Sequence, residues 1–155
     1  MMPRIPREEY PQRWEKAREI LKEMNLDLIL AYSDDRFTYG NAYARYFGDL
    51  QTVFEDTLVM LLPDRDPVLL VGPETIGFAQ ERSAFTDIRV IAEFAHADED
   101  YPYTVIEPMK DIAQEKLGSK VRRIGLGAKG RMGADLPVWG KCSPCRRSAY
   151  WLMLF

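Results

Sequence analysis

Two apolar runs separated by a short turn place the strongest constraint on how this chain folds. The runs are "EDTLVMLLP" and "DPVLLVGP", and Pro63-Asp64-Arg65-Asp66 separates their apolar centres. Apolar runs of this length, bounded by proline, aspartate and glycine, are typical of β-strands. Because so short a connection joins neighbouring antiparallel strands, the sequence predicts a β-hairpin.

Helical periodicity and turn signals predict further elements on both sides of this hairpin. The predicted elements are a helix at 11–24, a strand at 27–33, a loop with a short helix at 34–48, the hairpin at 55–73, a helix at 74–84, a strand at 87–94, a helix at 103–118 and a strand at 121–126. Pro108 kinks the last helix or delays its start. An early hairpin followed by β-α-β-α-β order predicts an α/β domain, with a mixed sheet and helices on its faces.

Composition limits the classes of function. The chain has 155 residues, of which 46% are hydrophobic and 29% charged, as in one soluble globular domain. No apolar run approaches the roughly 18 residues of a membrane span, and the N-terminal residues lack a secretory signal, so we expect a cytoplasmic protein without a membrane partner. The net charge of -3 and the lack of a basic stripe argue against binding to nucleic acid.

Three motifs suggest chemistry that their context does not support. "GLGAKG" fits the glycine pattern of a dinucleotide-binding turn, but it follows the last predicted strand, and no acid occurs beyond Asp135 to bind a ribose. The two cysteines of "CSPC" could form a redox-active dithiol, but no strand precedes them as in such sites. A zinc site would need two more ligands. "EFAHADEDYPY" brings carboxylates near His96, the only histidine. We interpret these acids as solvated residues that favour the following helix N-terminus rather than as a cation site.

The segment 34–49 is the most suggestive part of the chain for binding. Together with Tyr32 it contains six aromatic residues, with Arg36 and Arg45 among them. Aromatic side chains bury large areas, so the segment could simply cover the core. Aromatic rings beside a guanidinium could equally form a contact surface for a ligand or partner chain. The residue types leave both interpretations open.

Several segments, taken in order, resemble the N-terminal domain of the creatinase/prolidase family of metallohydrolases, which includes Xaa-Pro dipeptidases and aminopeptidases. The resemblance runs from about residue 8 to residue 139, and the ordered set carries it rather than any single motif. The segments are "EYPQRWEKAREILKEMNLDLILAYS", "FTYGNAYARYFG", "EDTLVMLLPDRDPVLLVGPE", "DEDYPYTVIEPMKDIAQEKLG", "RRIGLGAKG" and "ADLPVW". The resemblance implies a three-layer, ribonuclease H-like domain.

The resemblance also implies a function without catalysis by this chain. In that family a following domain of roughly double the length holds two metal ions (Mn, Co or Zn in the expected parent enzyme) with two Asp, one His and two Glu. The N-terminal domain helps to form the homodimer and covers the active site. We therefore expect no catalytic residue, metal or cofactor in this chain, and a homodimer or a separate catalytic domain as its partner. The alternative is a stand-alone protein-interaction module of the same fold.

Candidate contact residues follow from the resemblance and from the aromatic segment. They are Arg36, Tyr43, Arg45, Tyr46, Phe47 and Asp49. By position in the family, Phe47 corresponds to an aromatic residue of the covering loop that touches substrate. Asp49 stands where creatinase-like members have an arginine, which leaves the substrate of the parent enzyme open.

An abrupt change in composition divides the chain near residue 139. The last 20 residues contain no Asp or Glu but hold both cysteines. We expect a family-like domain at 1–139 and an atypical tail at 140–155, which we interpret as frame-shifted or truncated sequence. The alternative is a genuine C-terminus whose "AYWLMLF" docks onto a partner or a second copy. Loss of the elements that follow residue 139 in the family would expose a sheet edge and favour dimerisation.

Overall fold

The structure, a computed structural model, describes residues 5–35, 40–52, 54–118 and 121–127, and the backbone of 149–151. Its α-helices are α1 (Glu9–Glu23), α2 (Ala42–Gly48), α3 (Ile76–Arg82) and α4 (Met109–Leu117). Its strands are β1 (Leu28–Ser33), β2 (Thr57–Leu61), β3 (Val68–Val71), β4 (Asp87–Ile91), β5 (Ile106–Glu107), β6 (Ile124–Gly127) and β7 (Ala149–Trp151). Within these ranges no helix is both long enough and apolar enough to cross a membrane.

The strands form one mixed sheet in the order β5-β4-β3-β2-β1-β6-β7. The predicted hairpin is confirmed, since β2 and β3 pair antiparallel with Val59 opposite Leu69. Strand β2 is also antiparallel to β1, whereas the β1–β6, β3–β4, β4–β5 and β6–β7 pairs are parallel. The predicted α/β class with a mixed sheet is therefore correct.

Helices cover both faces of this sheet, so the domain has three layers. On one face Ile29, Val59 and Leu69 pack in a cluster with residues of α1, α2 and α3. On the other face Leu30 and Met60 pack in a second cluster, with residues of α4. Because the central strands are buried on both sides, their sequences are continuously apolar instead of alternating.

Helix α1 shows how local sequence sets the boundary of an element. Its apolar side chains Trp14, Ala17 and Leu21 are buried, at the spacing of one helical face. The helix ends where Asn25 adopts a left-handed conformation, with a φ of 51°. The amide of Leu26 then donates to the carbonyl of Leu21 at 2.8 Å, which satisfies one of the last carbonyls of the helix.

Two predicted boundaries near the edge of the sheet are wrong. The strand predicted at 87–94 ends at Ile91, and Ala92–Phe94 forms a 3-10 turn. The helix predicted at 103–118 begins only at Met109, because Pro108 disfavours a helical conformation in the residue before it. The preceding Ile106–Glu107 instead forms β5 beside β4. Of the two effects considered for Pro108, a delayed helix start is the one observed.

Strand β7 was not predicted from the sequence. It lies in the segment expected to be an atypical tail, and it pairs in parallel with β6, with Gly125 opposite Tyr150. The rest of 140–155, including "CSPC", lies outside the described residues.

An ion-pair network joins β4 and β5, at one edge of the sheet, to α4. The Arg89 guanidinium on β4 contacts Asp87 at 2.7 Å, Glu107 at 3.0 Å and Glu115 at 3.2 Å. Lys116 contacts Asp87 at 2.6 Å and Glu115 at 2.9 Å. Burial raises the pKa of Asp87, but hydrogen bonds from Lys116 and Arg89 outweigh burial and leave that pKa below its usual value. The two cations therefore stabilise an ionised carboxylate in the folded state.

Replacing Arg89 should destabilise the protein in a pH-dependent way. We expect Arg89→Gln to lower the free energy of unfolding by about 1–2 kcal/mol at pH 7, because three carboxylates lose a shared cation. The pKa of Asp87 is lower in the folded than in the unfolded state. The ionised Asp87 carboxylate therefore stabilises the fold fully at pH values above the unfolded pKa, and this stabilisation is lost as the pH falls through the folded pKa. Urea unfolding at pH 7 and at about pH 3 measures the free energy of unfolding of both proteins. The difference in this free energy between wild type and Arg89→Gln should be smaller at about pH 3.

The matched control is Arg65→Gln. Arg65 is exposed and contacts its neighbour Asp64 at 3.2 Å, so its loss should change the free energy of unfolding by less than about 0.5 kcal/mol. An equal penalty for Arg89→Gln at both pH values would contradict an electrostatic role for the network.

Candidate functional site

The predicted contact segment contains α2, whose two ends are fixed by short-range hydrogen bonds. The Asn41 side-chain oxygen, just before the helix, accepts a hydrogen bond of 2.7 Å from the amide of Thr52, beyond its end. At the end of the helix Asp49 adopts a left-handed conformation with a φ of 57°. Its amide donates to the Arg45 carbonyl at 3.1 Å. These hydrogen bonds link the entry of α2 to its exit and involve none of the aromatic side chains of the helix itself.

Five of the six predicted contact residues are described by the structure, which divides them between the core and the surface. Tyr43 and Phe47 are each only 2% exposed and belong to the core cluster under α1. Arg45 is exposed, and Tyr46 and Asp49 are partly exposed. Arg36 lies outside the described residues. Packing therefore accounts for two of the aromatic residues, and Arg45, Tyr46 and Asp49 remain as the accessible side of α2.

Two side chains of α1 hold the last turn of α2. The Trp14 indole Nε1 donates to the carbonyl oxygen of Phe47 at 2.8 Å. The Arg13 guanidinium donates to the carbonyl oxygen of Tyr46 at 2.7 Å and lies 4.7 Å from the centre of the Tyr46 ring. Both carbonyls lie in the last turn, where a helix has no internal donors for them. The orientation of the accessible α2 residues therefore depends on α1.

Close packing at Gly48 connects α2 to the segment before β4. A Cβ added to Gly48 would overlap the ring of Phe85. The Phe85 ring stacks on Trp14 with 6.2 Å between ring centres, and the amide of Ala84 donates to the Gly48 carbonyl at 2.8 Å. Glycine at this position is required by the contact, not by an unusual φ.

A second polar region lies where β1 and β4 end and β2 begins. A cavity of about 370 Å³ is open there, lined by Asp35, Phe54, Glu55, Asp56, Glu93, Phe94, Ala95 and His96. Ligand sites of α/β proteins are often found at the carboxyl ends of parallel strands.

Two of these carboxylates position helices. Glu55, only 4% exposed, accepts hydrogen bonds from the amides of Glu74 at 3.2 Å and Thr75 at 2.8 Å, just before α3 begins. Glu93 accepts a hydrogen bond from the amide of Met109, the first residue of α4, with both oxygens at 3.1 Å. Carboxylates are stabilised near helix N-termini because free amides and the helix dipole are located there. Neither role was predicted from the sequence, because the hydrogen-bonded partners are 16 to 20 residues apart.

The prediction that the acidic residues near His96 are solvated is confirmed, and the contact between this segment and the start of the following helix is made by Glu93. His96, Asp98 and Glu99 are all exposed. Glu99 accepts a hydrogen bond of 2.6 Å from the Tyr101 hydroxyl, which, together with slight burial, raises the pKa of Tyr101 to about 12. In the described part of the chain, no group of three or more His, Cys, Asp or Glu side chains could hold a metal ion.

The "GLGAKG" motif begins inside a strand. Gly125 and Gly127 lie in β6, and a Cβ on Gly125 would come within 2.9 Å of Leu26 and Ile29 side chains. Gly125 therefore permits close packing beside β1, and it does not form a phosphate-binding turn. The remaining motif residues, 128–130, lie outside the described part of the chain.

A pair of glycine substitutions tests the role of Glu55. A Cβ on Gly72 would overlap the Glu55 carboxyl group, so Gly72→Ala should displace it from the amides of Glu74 and Thr75 and cost about 1–3 kcal/mol. Gly77, within α3, has no atom within 4 Å of an added Cβ. Gly77→Ala should leave the protein unchanged or stabilise it by about 0.5–1 kcal/mol. Urea unfolding measures the free energy of unfolding of both variants. If Gly72→Ala were as stable as wild type, the close contact between Gly72 and Glu55 would not be needed to hold Glu55 in place.

Comparison with known proteins gives a result for the fold but not for the sequence. No family sequence model matches the chain, and no curated protein matches it. Among solved structures, a proline dipeptidase from Streptococcus pneumoniae aligns with a TM-score of 0.51 at 14% identity, over 73% of this chain and 71% of that chain. A proline dipeptidase from Streptococcus agalactiae aligns with a TM-score of 0.50 at 17% identity, over 74% of each chain.

A third structure shows how much of a longer protein this chain matches. Dipeptidase PepE from Mycobacterium ulcerans aligns with a TM-score of 0.57 at 16% identity, over 92% of this chain but only 34% of PepE. The chain therefore spans about a third of that dipeptidase. At sequence identities this low, the comparisons establish the fold alone: the chain has the α/β fold found in these dipeptidase structures. The resemblance seen in the sequence is therefore confirmed for the fold.

Proposed function

We propose that residues 1–139 form the non-catalytic N-terminal domain of an Xaa-Pro dipeptidase- or aminopeptidase-like metallohydrolase. The alignment with PepE carries this proposal, because it includes 92% of this chain and leaves about two thirds of PepE unmatched. That unmatched portion has the size expected for a separate catalytic domain. In the parent enzyme the present domain would support the dimer and cover the active site.

In this proposal, hydrolysis belongs to a separate catalytic domain of the parent enzyme and not to this chain. In the family that the sequence resembles, two Asp, one His and two Glu hold the pair of divalent ions that activates water for peptide hydrolysis. The carboxylates Glu55 and Glu93 already bind backbone amides of this domain. The two divalent ions of the parent enzyme, Mn, Co or Zn, would therefore be held by its catalytic domain.

The accessible side of α2 is the proposed contact surface. Arg45, Tyr46 and Asp49 are available there, whereas Tyr43 and Phe47 support them from the core. Since Arg13 and Trp14 fix the last turn of the helix, these residues need little ordering when a partner binds. Arginine and tyrosine are also the residue types that contribute most to protein interfaces.

A second candidate function is a stand-alone interaction module of the same fold. Two large apolar side chains favour it, since Tyr103 is fully exposed and Val105 is 80% exposed. Both lie just before β5, at the edge of the sheet. Exposed apolar residues beside a sheet edge are typical of sites where another chain associates.

The first test is hydrolysis by the purified chain. We expect no cleavage of an Xaa-Pro dipeptide in the presence of Mn²⁺, Co²⁺ or Zn²⁺, with a full-length proline dipeptidase as positive control. Release of proline in proportion to the concentration of the purified chain would contradict the non-catalytic assignment.

The coding DNA distinguishes the two candidate functions. Codons 130–155 and several hundred bases beyond should be re-sequenced and translated in all three frames. A frame that continues into a segment with two Asp, one His and two Glu ligands would support the peptidase domain. Early stop codons in every frame would favour the stand-alone module instead.

Replacing Arg45 should weaken self-association without unfolding the domain. We expect the wild-type chain to form a dimer, and Arg45→Ala to raise its dissociation constant about tenfold, which is about 1.4 kcal/mol. Light scattering over a range of concentrations measures this. The control is Lys110→Ala, since Lys110 is exposed on α4, on the opposite side of the sheet. A wild-type monomer at all concentrations, or equal effects of both variants, would contradict the proposed surface.

A further inference from the structure

We draw no further inference here: the strongest candidate, the cavity of about 370 Å³ that Asp35, Glu55, Asp56, Glu93 and His96 line with two phenylalanines where β1 and β4 end, carries nothing because Glu55 and Glu93 already bind the backbone at the starts of α3 and α4 and, in the described part of the chain, only the acidic side chains themselves suggest a ligand.

Discussion

The hydrogen bond from the Trp14 indole to the Phe47 carbonyl ties α1 to α2 within the apolar cluster on one face of the sheet. It is buried, so the carbonyl it satisfies has no access to water as a substitute partner. The Trp14 ring also stacks on Phe85, and Phe85 in turn packs against Gly48. One side chain of α1 thus fixes both the end of α2 and the segment that leads into β4.

A different interaction organises the end of the sheet where β1 and β4 finish. Glu55 and Glu93 extend from the segments beside the strands and bind the amides where α3 and α4 start. The helices are therefore attached to the sheet by charged hydrogen bonds at their starts and by apolar packing along their lengths. This architecture accounts for two of the acidic side chains in the region, Glu55 and Glu93.

Local patterns in the sequence were sufficient for most of the fold. The hairpin of β2 and β3 depends on neighbouring residues and was predicted, as was α1, whose predicted range of 11–24 lies within two residues of the observed Glu9–Glu23 at each end. The α4 start was predicted less well, because the constraint at Pro108 competes with a helical pattern on both sides of it. Strand β5 has only two residues and pairs with β4, and no local pattern in the sequence indicates that pairing.

The sequence by itself determined which residue types are concentrated in the candidate site at 34–49. Its ordered segments also indicated the fold of the dipeptidase structures, which the structural comparisons confirmed. Only the tertiary structure decided which of these residues are buried. Tyr43 and Phe47 lie under α1 while Arg45 remains exposed, because the rotation of α2 is set by its contacts with α1. Composition cannot show that orientation, since it depends on side chains 33 residues away in the chain.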